Sequence, residues 1–461
     1  MMRVLIYADP PRLYDTFLPS LRVMRDHLFE FCGKALLASG RVEIKAVVSE
    51  IAKRQADEAG GIGGIDLLEM PYVDLLELHP GCRSLQTMQL DFFLHGAEDE
   101  PSRRLSEWLL PRLHGWEPDV VLSFPAQAAP FARIFPKALC LTMENGIFSR
   151  FPFPRTLRFE PIDFANGFLN RYRDRIWNFP IDESARAAVG RFRKELTDLL
   201  AGECPFRVQL EEARQRFRHL VLCPVPAFDT YGSAAKDDQF LWLMNILNRV
   251  PREIGLIVTF HDNVQSQLNE RTLEFLKARY SNLLYFKRAG RVTSSVMFYP
   301  FVDAILNYET MTGTQGMLVC PRVVQLDEAY SSWMSDSVGL DGLSATLART
   351  APDRTALIYW YFTHFMVCER HFSDPEWYFN FFNRKVDDYR RNGVRFELFE
   401  KCADFEENSN FVLKSVRSAY EKLNEIENEE YKARHCIYGK IANRLDKWST
   451  WFREKAKNSC H

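Results

Sequence analysis

The chain has 461 residues, enough for two or three domains of ordinary size. A hydrophobic content of 46% supports normal cores and excludes wholesale disorder. The formal net charge of −2 excludes a global basic field for nucleic acid and leaves only local patches.

The ten cysteines lie no closer than 19 residues to one another, so there is no CxxC metal or redox pair. Scattered cysteines behind an N-terminus without a basic, apolar leader read as reduced thiols of a cytoplasmic protein. The most apolar stretch, Ala356–Cys368, is about 13 residues long, whereas a membrane span needs roughly 20. A soluble or peripheral protein is therefore expected. Aromatic residues, 36 of them Phe, concentrate around 147–182, 357–382 and 448–452.

In chain order, Arg3–Tyr7 reads as a buried strand, Leu18–Ala38 as an amphipathic helix and Glu43–Val48 as a second strand. A Gly-rich turn at 60–64 matches no phosphate-loop pattern and reads as a flexible loop. Helical material over 83–114 precedes strands at Asp119–Ser123 and Ala138–Thr142. After a helical stretch over about 180–217 the pattern restarts. Strands are expected at His219–Pro224, Gly255–Phe260, Leu283–Phe286, Asp303–Asn307 and Arg322–Gln325, with helices at Gln239–Arg249 and 270–279. Alternating strand and helix predicts parallel, helix-covered sheets, here two Rossmann-like blocks facing each other.

Ligands of open α/β sheets bind beyond the carboxyl ends of the strands, so the residues that follow each strand are the candidates. They are Glu144-Asn145-Gly146, then Asp229 to Ser233, then His261-Asp262-Asn263, then Tyr308 to Thr314. Each also has a plain structural reading. Asn-Gly is a turn dipeptide, Asp229-Thr230 suits a helix N-cap, a strand-end histidine is often structural, and Thr310–Thr314 could cap a helix. A hydroxyl-rich helix start is equally a phosphate site, through its free N–H groups and dipole.

These four junctions, in this order, resemble the capsule polysaccharide synthesis family typified by KpsC and LipB, whose members are bacterial retaining β-Kdo transferases. Glu144–Arg150 is similar to a family motif of the form Glu-Asp-Gly-Phe-x-Arg-Ser, and Leu157–Gly167 to a hydrophobic stretch ending in Asp with a nearby Gly. Asp229 with Ser233, Thr259–Asp262 and Thr310–Gly316 resemble later motifs, and Asp327–Tyr330 a Tyr-containing segment that follows. Asn145 stands where the family has an acid, and the lysine and prolines that flank the family histidine are missing here. The likeness spans roughly 140–335 as short islands.

The resemblance implies a GT-B-like fold of two Rossmann-type domains facing a cleft. Residues 1–180 would form the acceptor domain, 181–350 the CMP-sugar domain and 351–461 a helical C-terminal region. It also implies an activated donor such as CMP-β-Kdo, a lipid-linked glycan acceptor of the lipopolysaccharide or capsule type, and no cofactor or metal. Retention by two inversions needs a carboxylate nucleophile, for which Asp229 is the candidate. Glu144 would be the acid/base for the acceptor hydroxyl. His261, Thr310, Thr312 and Ser233 would hold CMP, and Arg150, Arg155 or Arg158 the sugar carboxylate. Another donor, CMP-sialic acid or a UDP-sugar, and a non-catalytic scaffold of a glycan-assembly complex are the alternative readings.

Near the end, Ile441, Leu445, Trp448 and Phe452 recur on one helical face among basic residues. Such a helix suits an anionic membrane surface or a packing site on the enzyme or a partner.

Overall fold

The computed structural model describes residues 1–8, 33–58, 63–82, 88, 98–123, 128–146, 151–161, 167–225, 239–260, 268–286, 295–308, 311–327, 330–372 and 374–425. The first sheet has seven strands in the order β13-β6-β5-β4-β1-β2-β3. These are β1 (Met2–Tyr7), β2 (Val42–Ser49), β3 (Ile65–Met70), β4 (Val120–Ser123), β5 (Leu139–Asn145), β6 (Thr156–Glu160) and β13 (Val367–Cys368). From β3 to β5 every pairing is parallel, whereas β6 runs antiparallel to both β5 and β13. The parallel part therefore has the 3-2-1-4-5 order of a Rossmann sheet.

The second sheet has six strands in the order β12-β11-β10-β7-β8-β9, all parallel. They are β7 (His219–Pro224), β8 (Ile254–Thr259), β9 (Leu283–Leu284), β10 (Ala304–Asn307), β11 (Val323–Gln325) and β12 (Ser337–Val338). Counted from β7 this is 6-5-4-1-2-3, the full Rossmann order, with its switch point between β7 and β10. The reason lies in the strands themselves. All six residues of β8, IGLIVT, are buried, which requires helices on both faces and parallel neighbours. Gly255 permits this packing, because a Cβ there would lie 2.8 Å from both Leu220 and Phe217 side chains.

Nine of these strands match the expected ones, eight to within two residues at each end, while β5 runs three residues past the expected Thr142 and takes in Glu144; β3, β6, β12 and β13 are not among the expected strands. β3 (IDLLEM) carries two acids, and β12 and β13 are two residues each. Strands so short or so polar have no apolar run to announce them. The helix expected over 18–38 is seen as Lys34–Ala38, its earlier part lying outside the described residues, and that over 83–114 as Asp99–Leu113.

Two chain crossings join the sheets. The first leaves β6 and enters the long helix Glu183–Gly202, whose start is capped by Asp182 accepting from the Ala185 N–H at 2.7 Å. The second, residues 349–355, returns the chain to the first sheet. There the C-terminal segment adds β13 and lays the helix Pro375–Asn392 against β5 and the helix Lys34–Ala38. Two aromatic-rich stretches of the sequence meet at this place. Phe168 from the first crossing contacts the rings of Trp360, Phe365, Phe396 and Phe399, with centroids 4.6–6.4 Å apart. The described residues from Leu357 to Tyr420 thus contribute to the core beneath the first sheet. The tail helix read at 441–452 lies outside the described residues.

Candidate functional site

Glu144 sits one residue from the carboxyl end of β5 and is partly buried. Leu139, Leu141 and Met143 belong to the large apolar core, so the alternation of the strand sends Cys140, Thr142 and Glu144 to the other face. On β6, Leu157 and Phe159 join the same core, leaving Thr156, Arg158 and Glu160 opposite. Register pairs Glu144 with Arg158 and Thr142 with Glu160. Directly opposed residues share a face. One face of this hairpin is thus a polar stripe, in which Thr142, Thr156, Arg158 and Glu160 are all at most 4% exposed. A buried polar stripe is costly unless it is satisfied by neighbours or a ligand. Within it, Thr142 Oγ1 accepts from the Ala128 N–H at 2.8 Å and Glu160 accepts from the Phe168 N–H.

Glu144-Asn145-Gly146 is not a tight turn. The ladder continues through Asn145, and the Gly146 N–H donates to Thr156 O at 2.8 Å. Gly146 is glycine because a Cβ would lie 2.2 Å from Thr156 Oγ1.

The other side of the candidate site belongs to the second sheet. Asn307 ends β10 fully buried. Its Nδ2 donates to Gln325 Oε1 at 2.9 Å and Ser331 Oγ at 3.1 Å, and its Oδ1 accepts from the Gly313 N–H at 3.2 Å. This amide fixes the start of the helix Met311–Gly316, where Thr312 sits with its carbonyl accepting from Tyr299 Oη at 2.7 Å. One N–H of that helix start is therefore committed to Asn307. Gly313 and Gly316 bring the helix onto β10, with built Cβ atoms 2.2 Å from Asn307 and 1.9 Å from Ile305. Close helix–strand approach is what glycine supplies in dinucleotide folds.

The structure brings Glu144 and Arg158 together and sets Thr312 at the β10 edge of the other sheet. Arg155 is half-buried and held through its backbone, its N–H donating to Glu369 Oε2 at 3.4 Å and its carbonyl accepting from the Glu369 N–H at 3.0 Å. Asp229, Ser233, His261, Thr310 and Arg150 lie outside the described residues. By chain connectivity, Asp229, His261 and Thr310 belong to the segments leaving β7, β8 and β10. Sequence reasoning named Arg158 but missed Asn307 and the rest of the polar face of β6, Thr156 and Glu160. Its signals were an amide closing an apolar strand and the alternation Thr-x-Arg-x-Glu in TLRFE.

The cysteines among the described residues are free thiols. Burial pushes the Cys223 thiol on β7 up to about 12, so it behaves as an apolar core residue. Among the described residues no cluster of three or more His, Cys, Asp or Glu could hold a metal, and no helix is long and apolar enough to cross a membrane.

No protein-family model matches the chain, and no curated protein does. Among solved structures it is similar to UGT89C1 of Arabidopsis thaliana complexed with UDP, at 11% identity and TM-score 0.30 over 90% of this chain and 100% of that one. It is also similar to the UDP-GlcNAc 2-epimerase of Neisseria meningitidis bound to UDP-GlcNAc, at 12% identity and TM-score 0.26 over 91% and 100%. The glycotransferase of kitacinnamycin matches at 12% identity and TM-score 0.30 over 85% and 98%. The fold assignment stands on the strand orders of the two sheets and on the return of the chain to the first. The fold is GT-B-like.

Proposed function

We propose that the chain is a retaining glycosyltransferase that moves an acidic keto-sugar of the β-Kdo type from a CMP-activated donor to a glycan acceptor. One observation supports this above the rest. The segments bearing Asp229, His261 and Thr310 leave β7, β8 and β10, three neighbouring strands astride the switch point of the second sheet. In this reading His261 and Thr312 hold the donor phosphate and a basic residue, Arg150, Arg155 or Arg158, pairs with the sugar carboxylate. The Asp229 carboxylate attacks the anomeric carbon, and the bond from that carbon to the CMP phosphate oxygen breaks, releasing CMP. The acceptor hydroxyl then attacks the same carbon, breaks the ester to Asp229 and gives its proton to Glu144. Two inversions return the starting configuration. The reaction uses no cofactor, and an acceptor on a lipid would bring the enzyme to the inner face of the membrane through its basic tail.

Thermal-shift titration with CMP, UDP and GDP tests the donor class. Selective stabilisation by CMP is expected, since a ligand that binds only the folded state raises its melting temperature. Selectivity for UDP would replace the donor, and indifference to all three would favour a scaffold.

A further inference from the structure

A second polar cavity lies at the opposite edge of the second sheet and takes no part in the proposed transfer. Arg322 and Asp336 immediately precede β11 and β12, so they stand at the amino ends of those strands. A strand rises about 3.3 Å per residue, which puts the depth of the sheet between this edge and the donor edge. The cavity, half open to solvent, has a volume of about 260 Å³ and is lined by Arg173, Trp177, Arg322, Asp336, Arg349 and Thr350 among others.

The lining is unbalanced in charge and in hydrogen bonding. Three arginines face one carboxylate, and Arg354, fully buried, stands beside that carboxylate with its Nη2 2.5 Å from Asp336 Oδ2. Asp336 Oδ2 also accepts from the Val323 N–H at 2.6 Å. The other oxygen, Oδ1, is buried and accepts from no group among the described residues, on a side chain only 7% exposed. Arg322 shows the complementary vacancy of partners. Its Nη2 donates to Arg349 O at 2.5 Å and its Nη1 to Asp303 O at 3.4 Å, yet its buried Nε donates to no group among the described residues. A buried donor and a buried acceptor left unpaired in one wall each carry a desolvation cost of about 1–3 kcal/mol. An anion that also bears a hydroxyl satisfies both.

We infer that this cavity binds inorganic hydrogen phosphate, which accepts from the arginines and donates its P–OH to Asp336 Oδ1. The position gives the site a consequence. Arg173 and Trp177 belong to the first interdomain crossing, and they donate to Ser335 O and Trp333 O, both at 2.7 Å. Arg349 and Thr350 belong to the second crossing. Phosphate bound here would contact both crossings and the amino edge of the second sheet.

Calorimetric titration of the full chain at pH 7.5 with sodium phosphate and with sodium sulfate tests the site. Phosphate should bind roughly tenfold or more tightly than sulfate, which has no proton for Asp336 and is repelled by it. Arg349→Glu and, independently, Thr350→Glu should each weaken phosphate binding by roughly tenfold or more while keeping the wild-type melting temperature without ligand. Both side chains are exposed, so at least one variant should fold normally. Absence of phosphate binding, equal binding of sulfate, or phosphate binding unchanged in a folded variant would each overturn the inference.

Discussion

Glu144 and Arg158 stand directly opposite one another across the antiparallel pair β5 and β6, on the face turned away from the aromatic core. A carboxylate proposed as base and a guanidinium proposed to bind the donor are therefore neighbours in one polar stripe. Glu144→Gln should cut transfer by about 10²–10⁴ while leaving the melting temperature unchanged, because it removes a general base without changing shape. A sugar adduct on Asp229 should then accumulate as a mass increase of the intact protein. Arg158→Lys should raise KM for the donor more than it lowers kcat, since an ammonium cannot pair bidentately with a carboxylate. Steady-state kinetics with unchanged donor KM would take Arg158 out of the donor site.

Gly313→Ala should destabilise the protein by about 1–3 kcal/mol, the usual cost of overpacking. The added Cβ would lie 2.2–2.6 Å from Asn307 atoms, and that side chain is held by Gln325 and Ser331. Asn307 cannot withdraw without giving up those bonds. Urea denaturation gives the number, and a loss below about 0.5 kcal/mol would mean that the β10 edge yields easily.

Lys385 is buried with its ammonium 4.4 Å from the Phe381 ring and 4.6 Å from Phe399, donating to Leu398 O at 3.0 Å. Burial pulls its pKa from 10.5 down to about 8. Between those values the unfolded chain holds a proton that the folded chain lacks, so this group's contribution to stability rises with pH across that window. Lys385→Met removes the titrating group. Relative to wild type, the variant should therefore lose roughly 2–3 kcal/mol on going from pH 7.5 to pH 10, at about 1.4 kcal/mol per pH unit. A pH-independent difference between the two proteins would show that the amine is not held against ionisation.

His364 and His371 titrate in the opposite half of the range. Burial lowers both to about 4 from a usual 6.5. The unfolded chain takes up protons near pH 6.5 while the folded one does not, so stability is full above that value and falls as pH drops toward 4. His371 lies flat on Trp377, with centroids 4.0 Å apart. Replacing it as His371→Gln should flatten the fall in melting temperature between pH 6.5 and 4.5. A wild-type slope in that variant would assign the acid response to other groups.

The sequence by itself determined the two α/β blocks, because runs such as LVLC and GLIV are apolar, short and separated by helical stretches, the pattern of covered strands in parallel sheets. It also marked the strand ends, since polar residues follow each run and the carboxyl edge is where an open sheet binds. It did not determine that β6 and β13 extend the first sheet. The alternation in TLRFE shows that Thr156–Glu160 has two faces, but the pairing of β6 with β13 leaves no local pattern, because it joins residues some 210 positions apart. The aromatic stretches were visible, yet their meeting around Phe168 depends on a contact between residues some 200 positions apart. The cavity at Arg322 and Asp336 was decided only by tertiary structure as well. Its arginines are scattered from 173 to 349, and only the crossing of two chain segments beside one strand edge collects their charge.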